Sequence, residues 1–359
     1  MIKVGVIGRF PPENIPFASY TQNLVENMKG CKVVRIGLRD SDCDYVLGID
    51  KNFGKNLEDI IEKEKLDILH IQYIASSEYL IHKSNSQLNS YFNTILANLR
   101  LLKSMGRIKI PTVVTLHELN IESKNVKQLV VRWLEKNIIN KSDKIIVHSS
   151  GQKKILLDNG IDAESIGFGL TPVKIEKRRG KNLLYLATIY PSRGVEYLIR
   201  AMKSLPDYKL VVKGVVTDEH YAQLLKDEIE KNKLKNVKLG FGWGSHKERD
   251  KLYRQTNIVV LPYLWAPNQS VALHDAFSYR IPVVVTGINN PINETVKTYG
   301  CGVVVEPKSP EKLAEGVKML YENYHHYLKG VNNYRKIASW RAIADKHVEL
   351  YKRVIKSGA

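Results

Sequence analysis

The chain has 359 residues, of which 43% are hydrophobic and 26% charged, with a formal net charge of +18. That length exceeds one ordinary core and suits two domains. The composition is that of a folded protein and excludes a disordered or collagen-like one.

The three cysteines, Cys31, Cys43 and Cys301, have neither disulfide nor metal-ligand spacing. That points to a reducing compartment. The opening run from Met1 to Phe10 is short and broken by glycine, unlike a secretory signal. No run approaches the ~18 apolar residues of a membrane span. The expected location is cytoplasmic, with peripheral contact to the inner face of a membrane left open. Positive charge raises nucleic acid as a partner. About +7 falls in residues 1–180 and about +11 in the remainder, so neither half is a dense basic arm. No zinc-finger or ribonucleoprotein motif accompanies it, and nucleic acid is set aside. A diffuse positive field equally suits a diphosphate or anionic headgroups.

Taken in order, short apolar strands are expected at Lys3–Ile7, Val33–Ile36, Ile68–Ile71, Thr112–Leu116 and Lys144–Val147. Helical patterns fall near Tyr20–Met28 and at Leu57–Glu64, Leu88–Met105 and Val126–Ile139. Buried strands alternating with helices imply a parallel sheet covered on both faces. Residues 171–182 are polar and contain Pro and Gly, and read as a linker. The alternation then restarts. Strands are expected at Leu183–Ala187, Lys209–Lys213, Val237–Phe241, Ile258–Leu261, Val283–Thr286 and Gly302–Val305, and a last helix near Ser339–Ser357. The expected fold is α/β, with two facing Rossmann-like doubly wound domains and a cleft between them. Residues 1–170 form the acceptor-side domain, 183–338 the donor domain, and 339–359 a helix packing back on the first. Ligands of such sheets bind beyond the carboxyl ends of the strands.

Several segments of the second half carry a resemblance in sequence order. They are Leu186 to Met202, Leu210 to Gly214, Asn236 to Gly242, Tyr253 to Tyr263, Ser270 to Val285 and Gly300 to Pro310. Together with Ser339 to Ala344 they resemble the donor-binding domain of family 4 glycosyltransferases, of GT-B architecture. In the first half, Phe10-Pro-Pro12, Asp67 to Gln72, Val113 to His117 and His148-Ser-Ser150 resemble the family more loosely.

The resemblance implies a retaining, metal-independent transferase that uses a nucleotide-diphosphate sugar as substrate and needs no cofactor. Negative charge grows on the departing diphosphate, and cations and helix N-termini stabilise it. Arg193 falls on the family's diphosphate-binding lysine, and Thr188 on its arginine. Lys213, ending the next strand, is a candidate replacement cation. Asp275 falls on the glutamate that grips the ribose, with first-turn helix stabilisation as the plainer reading. Pro267 stands where the family has a sugar-binding glutamate, so Asn268 or Gln269 is expected to take over. The amides of Ser270, Val271 and Ala272 precede a helix and suit phosphate, and Ser270 also reads as an ordinary N-cap. Gly242, with Trp243, lies where the family seats its base. The family's adjacent glycines in the first loop are replaced near Ile15 and Pro16, leaving Asn14, Ser19 and Tyr20 as polar candidates. His117 falls where a histidine lies over the transferred sugar, and Gln72 and His70 end the neighbouring strand. His274 reads as core or surface.

Asp40-Ser-Asp42 has the spacing of a metal-binding pair, but Asp44 extends it as an acidic loop, and no metal site is expected. Leu88 to Lys109 combines apolar residues with Arg100, Lys103, Arg107 and Lys109, the pattern of a helix resting on anionic membrane or of a core helix with a basic outer face. The acceptor class stays open among glycan, lipid-linked and small-molecule acceptors. Two alternatives remain: an epimerase or phosphorylase of the same architecture, and a non-catalytic protein binding sugar nucleotides or polyanions. The altered Pro267 and Thr188 motivate the second.

Overall fold

The structure is a computed structural model. It describes residues 1–12, 16–38, 41–75, 87–119, 129–175, 180–266, 269–287 and 291–358, with the side chains of 16 and 87–90 excepted. The chain divides into two compact units, Met1–Gly169 with Trp340–Ala359, and Leu170–Ser339.

Unit 1 holds a seven-stranded parallel sheet. Its strands are β1 (Ile2–Gly8), β2 (Cys31–Gly37), β3 (Tyr45–Val46), β4 (Ile68–Tyr73), β5 (Thr112–Leu116), β6 (Lys144–Val147) and β7 (Ala163–Ser165). They lie side by side in the order 3-2-1-4-5-6-7. The helices are α1 (Pro16–Asn27), α2 (Phe53–Glu64), α3 (Gln87–Met105), α4 (Leu129–Asn140) and α5 (Ser150–Asp158). Alternate residues of β1 feed opposite faces of the sheet. Val4 and Val6 join Tyr20, Leu24 and Tyr351 on one side, while Ile7 joins Ile36, Leu57 and Leu101 on the other. All six residues of β4 are buried, His70 and Gln72 included, so their polar atoms need partners inside the protein.

Unit 2 repeats the plan. Its strands are β8 (Asn182–Leu186), β9 (Lys209–Gly214), β10 (Val237–Phe241), β11 (Ile258–Leu261), β12 (Val283–Thr286) and β13 (Gly302–Val305). Their order is 10-9-8-11-12-13, all parallel. Around them pack α6 (Val195–Ala201), α7 (Glu219–Lys231), α8 (His246–Gln255), α9 (Val271–Ser278), α10 (Pro291–Tyr299), α11 (Pro310–Glu322) and α12 (Tyr324–Ile337). Side-chain oxygens start several of these helices: Asp218 caps Tyr221 N, Ser245 and Glu248 form a capping box, and Ser309 caps Lys312 N ahead of Pro310. In both sheets the first strand lies beside the fourth, so the direction of winding reverses between β1 and β4 and between β8 and β11. That reversal opens a crevice at the carboxyl ends.

The last helix, α13 (Trp340–Ser357), belongs to unit 1 and packs on α1. Gly169 permits this, because a Cβ there would come within 2.3 Å of the Trp340 ring. The described part of the polar stretch 171–182 is bonded along unit 2. Val173 N donates to Ser278 O, and Val173 O and Lys174 O accept from Arg335 and Arg254. Asn182 already opens β8.

Candidate functional site

The site of unit 2 grows from the two loops that flank its reversal point. The loop after β8 ends in a 3-10 turn, Pro191–Arg193. The loop after β11 runs from Pro262 toward Ser270. Backbone bonds tie them: Leu264 N and Trp265 N donate to Ser192 O at 2.9 and 3.3 Å. Gly194 makes the approach possible. Its φ of +63° is left-handed, and a Cβ would stand 2.3 Å from Pro262 O.

Arg193 lies in this junction. Its guanidinium carbon sits 4.2 Å from the ring centre of Tyr263 and 4.9 Å from that of Tyr190. Its Nε is buried and finds no hydrogen-bond partner, and no carboxylate pairs with it among the described residues. Leaving a buried donor unpaired costs about 1–3 kcal/mol, more when it is charged. The arrangement therefore presents a cation to an acceptor that the protein itself does not supply. Thr188 is partly exposed in the same loop, and its carbonyl accepts from Tyr185 Oη at 2.7 Å.

Across the reversal point Ser270 caps α9 by accepting from Leu273 N. The N–H groups of Val271 and Ala272 lie in the first turn, where no intrahelical acceptor exists. Val271 is exposed, Ala272 buried and Gln269 partly buried. Asn14, Pro267 and Asn268 lie outside the described residues. Asp275, further along α9, is partly buried. Burial raises its pKa to about 6, against lowering by Arg249 and by the Tyr253 hydroxyl 3.4 Å away. Tyr253 is held by stacking on Tyr279 at 4.9 Å. His274 is core: it is buried, and its ring nitrogens meet Ser270 O and Tyr334 Oη.

Lys213 reaches the same sheet edge, in register with Leu186 and Gly240. It is engaged there, with Nζ 3.5 Å from Glu248 Oε1, the carboxylate that closes the α8 capping box. Gly242 follows β10 with φ +92°, its N–H bonded to Gly214 O, and Trp243 beside it is 41% exposed.

In unit 1 three candidate residues lie inside the fold. Tyr20, Gln72 and His117 are buried, at 1%, 0% and 5% exposure. His117 has both ring nitrogens occupied, Nε2 by the Gln72 amide at 2.7 Å and Nδ1 by His148 Nε2 at 3.2 Å. The Tyr20 ring meets His117 edge-on at 4.7 Å. These side chains point into the unit because β4 and β5 are inner strands covered on both faces. As they stand, Gln72 and His117 bond each other within the unit, while the Tyr20 hydroxyl is buried without a hydrogen-bond partner among the described residues. Burial, with the neighbouring histidines, holds the pKa of His117 and His70 well below the ordinary value.

Some other charged candidates of unit 1 are paired within it. Arg107 forks onto Glu58 with two bonds of 2.7 Å, and Arg100 donates to Ile49 O, so two cations of the basic stretch turn to the protein's own surface. Asp44 pairs with Arg35, and Asp40 lies outside the described residues. No described helix is long and apolar enough to cross a membrane. Tyr263 and Tyr190 escaped the sequence reading as site residues. Their only signal was membership of the motif segments Leu186 to Met202 and Tyr253 to Tyr263, because the stacking partner comes from another strand's loop.

Comparison with known proteins bears on this site. Residues 172–337 match the family model of glycosyl transferases group 1. An uncharacterized glycosyltransferase of Methanocaldococcus jannaschii is 31% identical over 222 residues, which are 58% of this chain and only 56% of that protein. Sucrose-phosphate synthase of Thermosynechococcus elongatus superposes with a TM-score of 0.68 at 16% identity, covering 99% of this chain and 100% of that one. The Anabaena protein HepE in complex with UDP gives 0.70 at 13% identity, covering 98% and 100%, and has also been crystallised with UDP-glucose. These structural likenesses show the fold, two Rossmann-like domains of GT-B type. Nearly all of unit 2, residues 172–337, thus matches glycosyl transferases group 1, on a frame shared with glycosyltransferases of known structure.

Proposed function

We propose that the protein is a glycosyltransferase that takes a sugar from a nucleotide-diphosphate donor. The observation that carries this reading is Arg193, an unpaired cation stacked on Tyr263 at the reversal point of unit 2. In this reading Arg193 and the first-turn amides at Ser270, Val271 and Ala272 take up the charge that develops on the leaving diphosphate. Asp275 accepts from the ribose hydroxyls. The backbone at Gly242 borders the base, and Thr188 and Gln269 line the loops. Lys213 joins once the donor draws it from Glu248. The reaction is retaining and metal-independent, and no side chain serves as nucleophile. HepE's complexes with UDP and UDP-glucose support a uridine donor as the first to try.

The test is a thermal-shift and calorimetric panel of uridine, guanosine and adenosine diphosphate sugars, followed by product analysis with candidate acceptors. At least one donor is expected to bind, more weakly in Arg193→Ala and Asp275→Ala. Equal binding by both variants would refute the site. A second reading, a sugar-nucleotide-binding protein without transfer, is favoured by the closed state of His117. Donor binding without turnover on any acceptor would select it.

A further inference from the structure

We propose that Tyr263 is a positioning residue of the donor site, and that its ring makes arginine, rather than lysine, the required cation at position 193. The inference rests on the donor reading above and adds the residue that sets its geometry.

Tyr263 lies in the loop two residues after β11, at the reversal point, and is 2% exposed. It is fixed from three sides. Its carbonyl accepts from the Thr286 hydroxyl on β12. Its ring meets Tyr185 of β8 nearly at right angles, with centroids 6.4 Å apart. Its hydroxyl stands 3.5 Å from Ser270 Oγ, the cap of α9. The ring face that remains carries the Arg193 guanidinium at 4.2 Å. One side chain therefore touches the cation on one side of the reversal point and the helix cap on the other.

The chemistry of the pair selects arginine. A guanidinium is planar, stacks on an aromatic face and keeps its N–H fork at its edge, whereas an ammonium is a compact point charge that needs hydration or acceptors. Arg193 has no acceptor within the described protein, so the Tyr190 and Tyr263 rings are what orient it. Held that way, its donors suit the paired oxygens of a diphosphate. Lysine at this position would keep the charge and lose the orientation.

The experiment is a double-mutant cycle on the full chain, read as the dissociation constant for UDP, with GDP and ADP run alongside. Tyr263→Leu is expected to weaken binding by about tenfold. Tyr263→Phe, which keeps the ring, is expected to restore most of it. Arg193→Lys is expected to bind as poorly as Arg193→Ala, and adding Tyr263→Leu to Arg193→Lys to cost nothing more. Additive losses would show that Tyr263 acts only through the fold, and Arg193→Lys binding like the parent would overturn the selectivity. Should Tyr263→Leu fail to fold, Arg193→Lys and Tyr263→Phe still decide. If the parent chain binds none of the three diphosphates, the donor reading itself falls, which separates that failure from this one.

Discussion

The hydroxyl of Tyr351 stands 2.6 Å from Nδ1 of His70, across 281 residues of chain. The bond joins the last helix to the middle of the first sheet, inside unit 1. From His70 a line of buried groups continues through Gln72 and His117 to His148, and ends on the carbonyl of Ile166.

That line has one consistent direction when every member is neutral. A carbonyl only accepts, so His148 donates to Ile166 O from Nδ1 and accepts at Nε2. His117 then donates from Nδ1 and accepts at Nε2, which turns the Gln72 amide over from its placement in the structure, where Oε1 faces His117 Nε2 at 2.7 Å. With the amide turned over, its oxygen and Thr115 Oγ1, 2.8 Å away, both accept from His70 Nε2, and His70 Nδ1 accepts from Tyr351. Side-chain nitrogen spectra at neutral pH are expected to show His70 protonated at Nε2 only, and His117 and His148 at Nδ1 only. A doubly protonated His117 would contradict the assignment.

Acid should destabilise the protein through the same cluster. Burial lowers the pKa of His148 and of His347 to about 4, against about 6.5 in the unfolded chain. Between those values the unfolded state binds more protons, so stability is full above about pH 6.5 and falls as pH drops toward 4. Each histidine contributes on the order of 3 kcal/mol over that window. Asp275, raised to about 6, acts oppositely, its contribution being present below about pH 4 and lost as pH rises through 6. The histidines outnumber it. Urea midpoints measured from pH 7 to 4.5 are expected to fall steadily; a flat series would count against buried neutral histidines.

The carboxyl of Asp275 also sets a pH dependence for ligand binding. Ribose hydroxyls donate to a carboxylate, so affinity is expected to fall below about pH 6, by up to about tenfold per unit. A nucleotide-diphosphate sugar is the suitable probe, since its charges do not titrate there. Asp275→Asn is expected to bind more weakly at pH 7 and to show no such slope. If the slope survives in that variant, another group is responsible.

Gly194 should tolerate no side chain. Alanine at φ +63° is strained, and its Cβ would enter the space of Pro262 O. Gly194→Ala is expected to cost about 1–3 kcal/mol in urea unfolding and to weaken donor binding by parting the two loops. Unchanged stability would mean that the junction at Ser192 can open freely.

Much of the fold is legible along the chain because its signals are local. The strands Thr112–Leu116, Lys144–Val147, Val237–Phe241, Ile258–Leu261, Val283–Thr286 and Gly302–Val305 begin and end where apolar runs meet turn residues. The short edge strands Tyr45–Val46 and Ala163–Ser165 carry too few residues for a period to show. Tyr324–Ile337 is rich in Tyr, His and Asn, which favour helix weakly, and it is helical because Tyr334 and Val331 bury against the second core. In the site, Arg193, Ser270 and Asp275 could be placed by their order within motif segments. Tyr263 and the histidine chain could not, because their partners come from other strands.

The sequence alone therefore determined two alternating α/β halves and the segments that border a ligand edge, since periodicity, caps and turn glycines act over a few residues. Only the tertiary structure decided which groups are free to act. Strand order brings β8 beside β11, so that Tyr263 meets Arg193 and leaves its donors unpaired. The same parallel packing turns Gln72 and His117 inward, where burial obliges them to bond each other. In both cases residue type and place in a motif segment suited a ligand. What separates an available cation from a closed histidine is the set of neighbours that the sheet places around each.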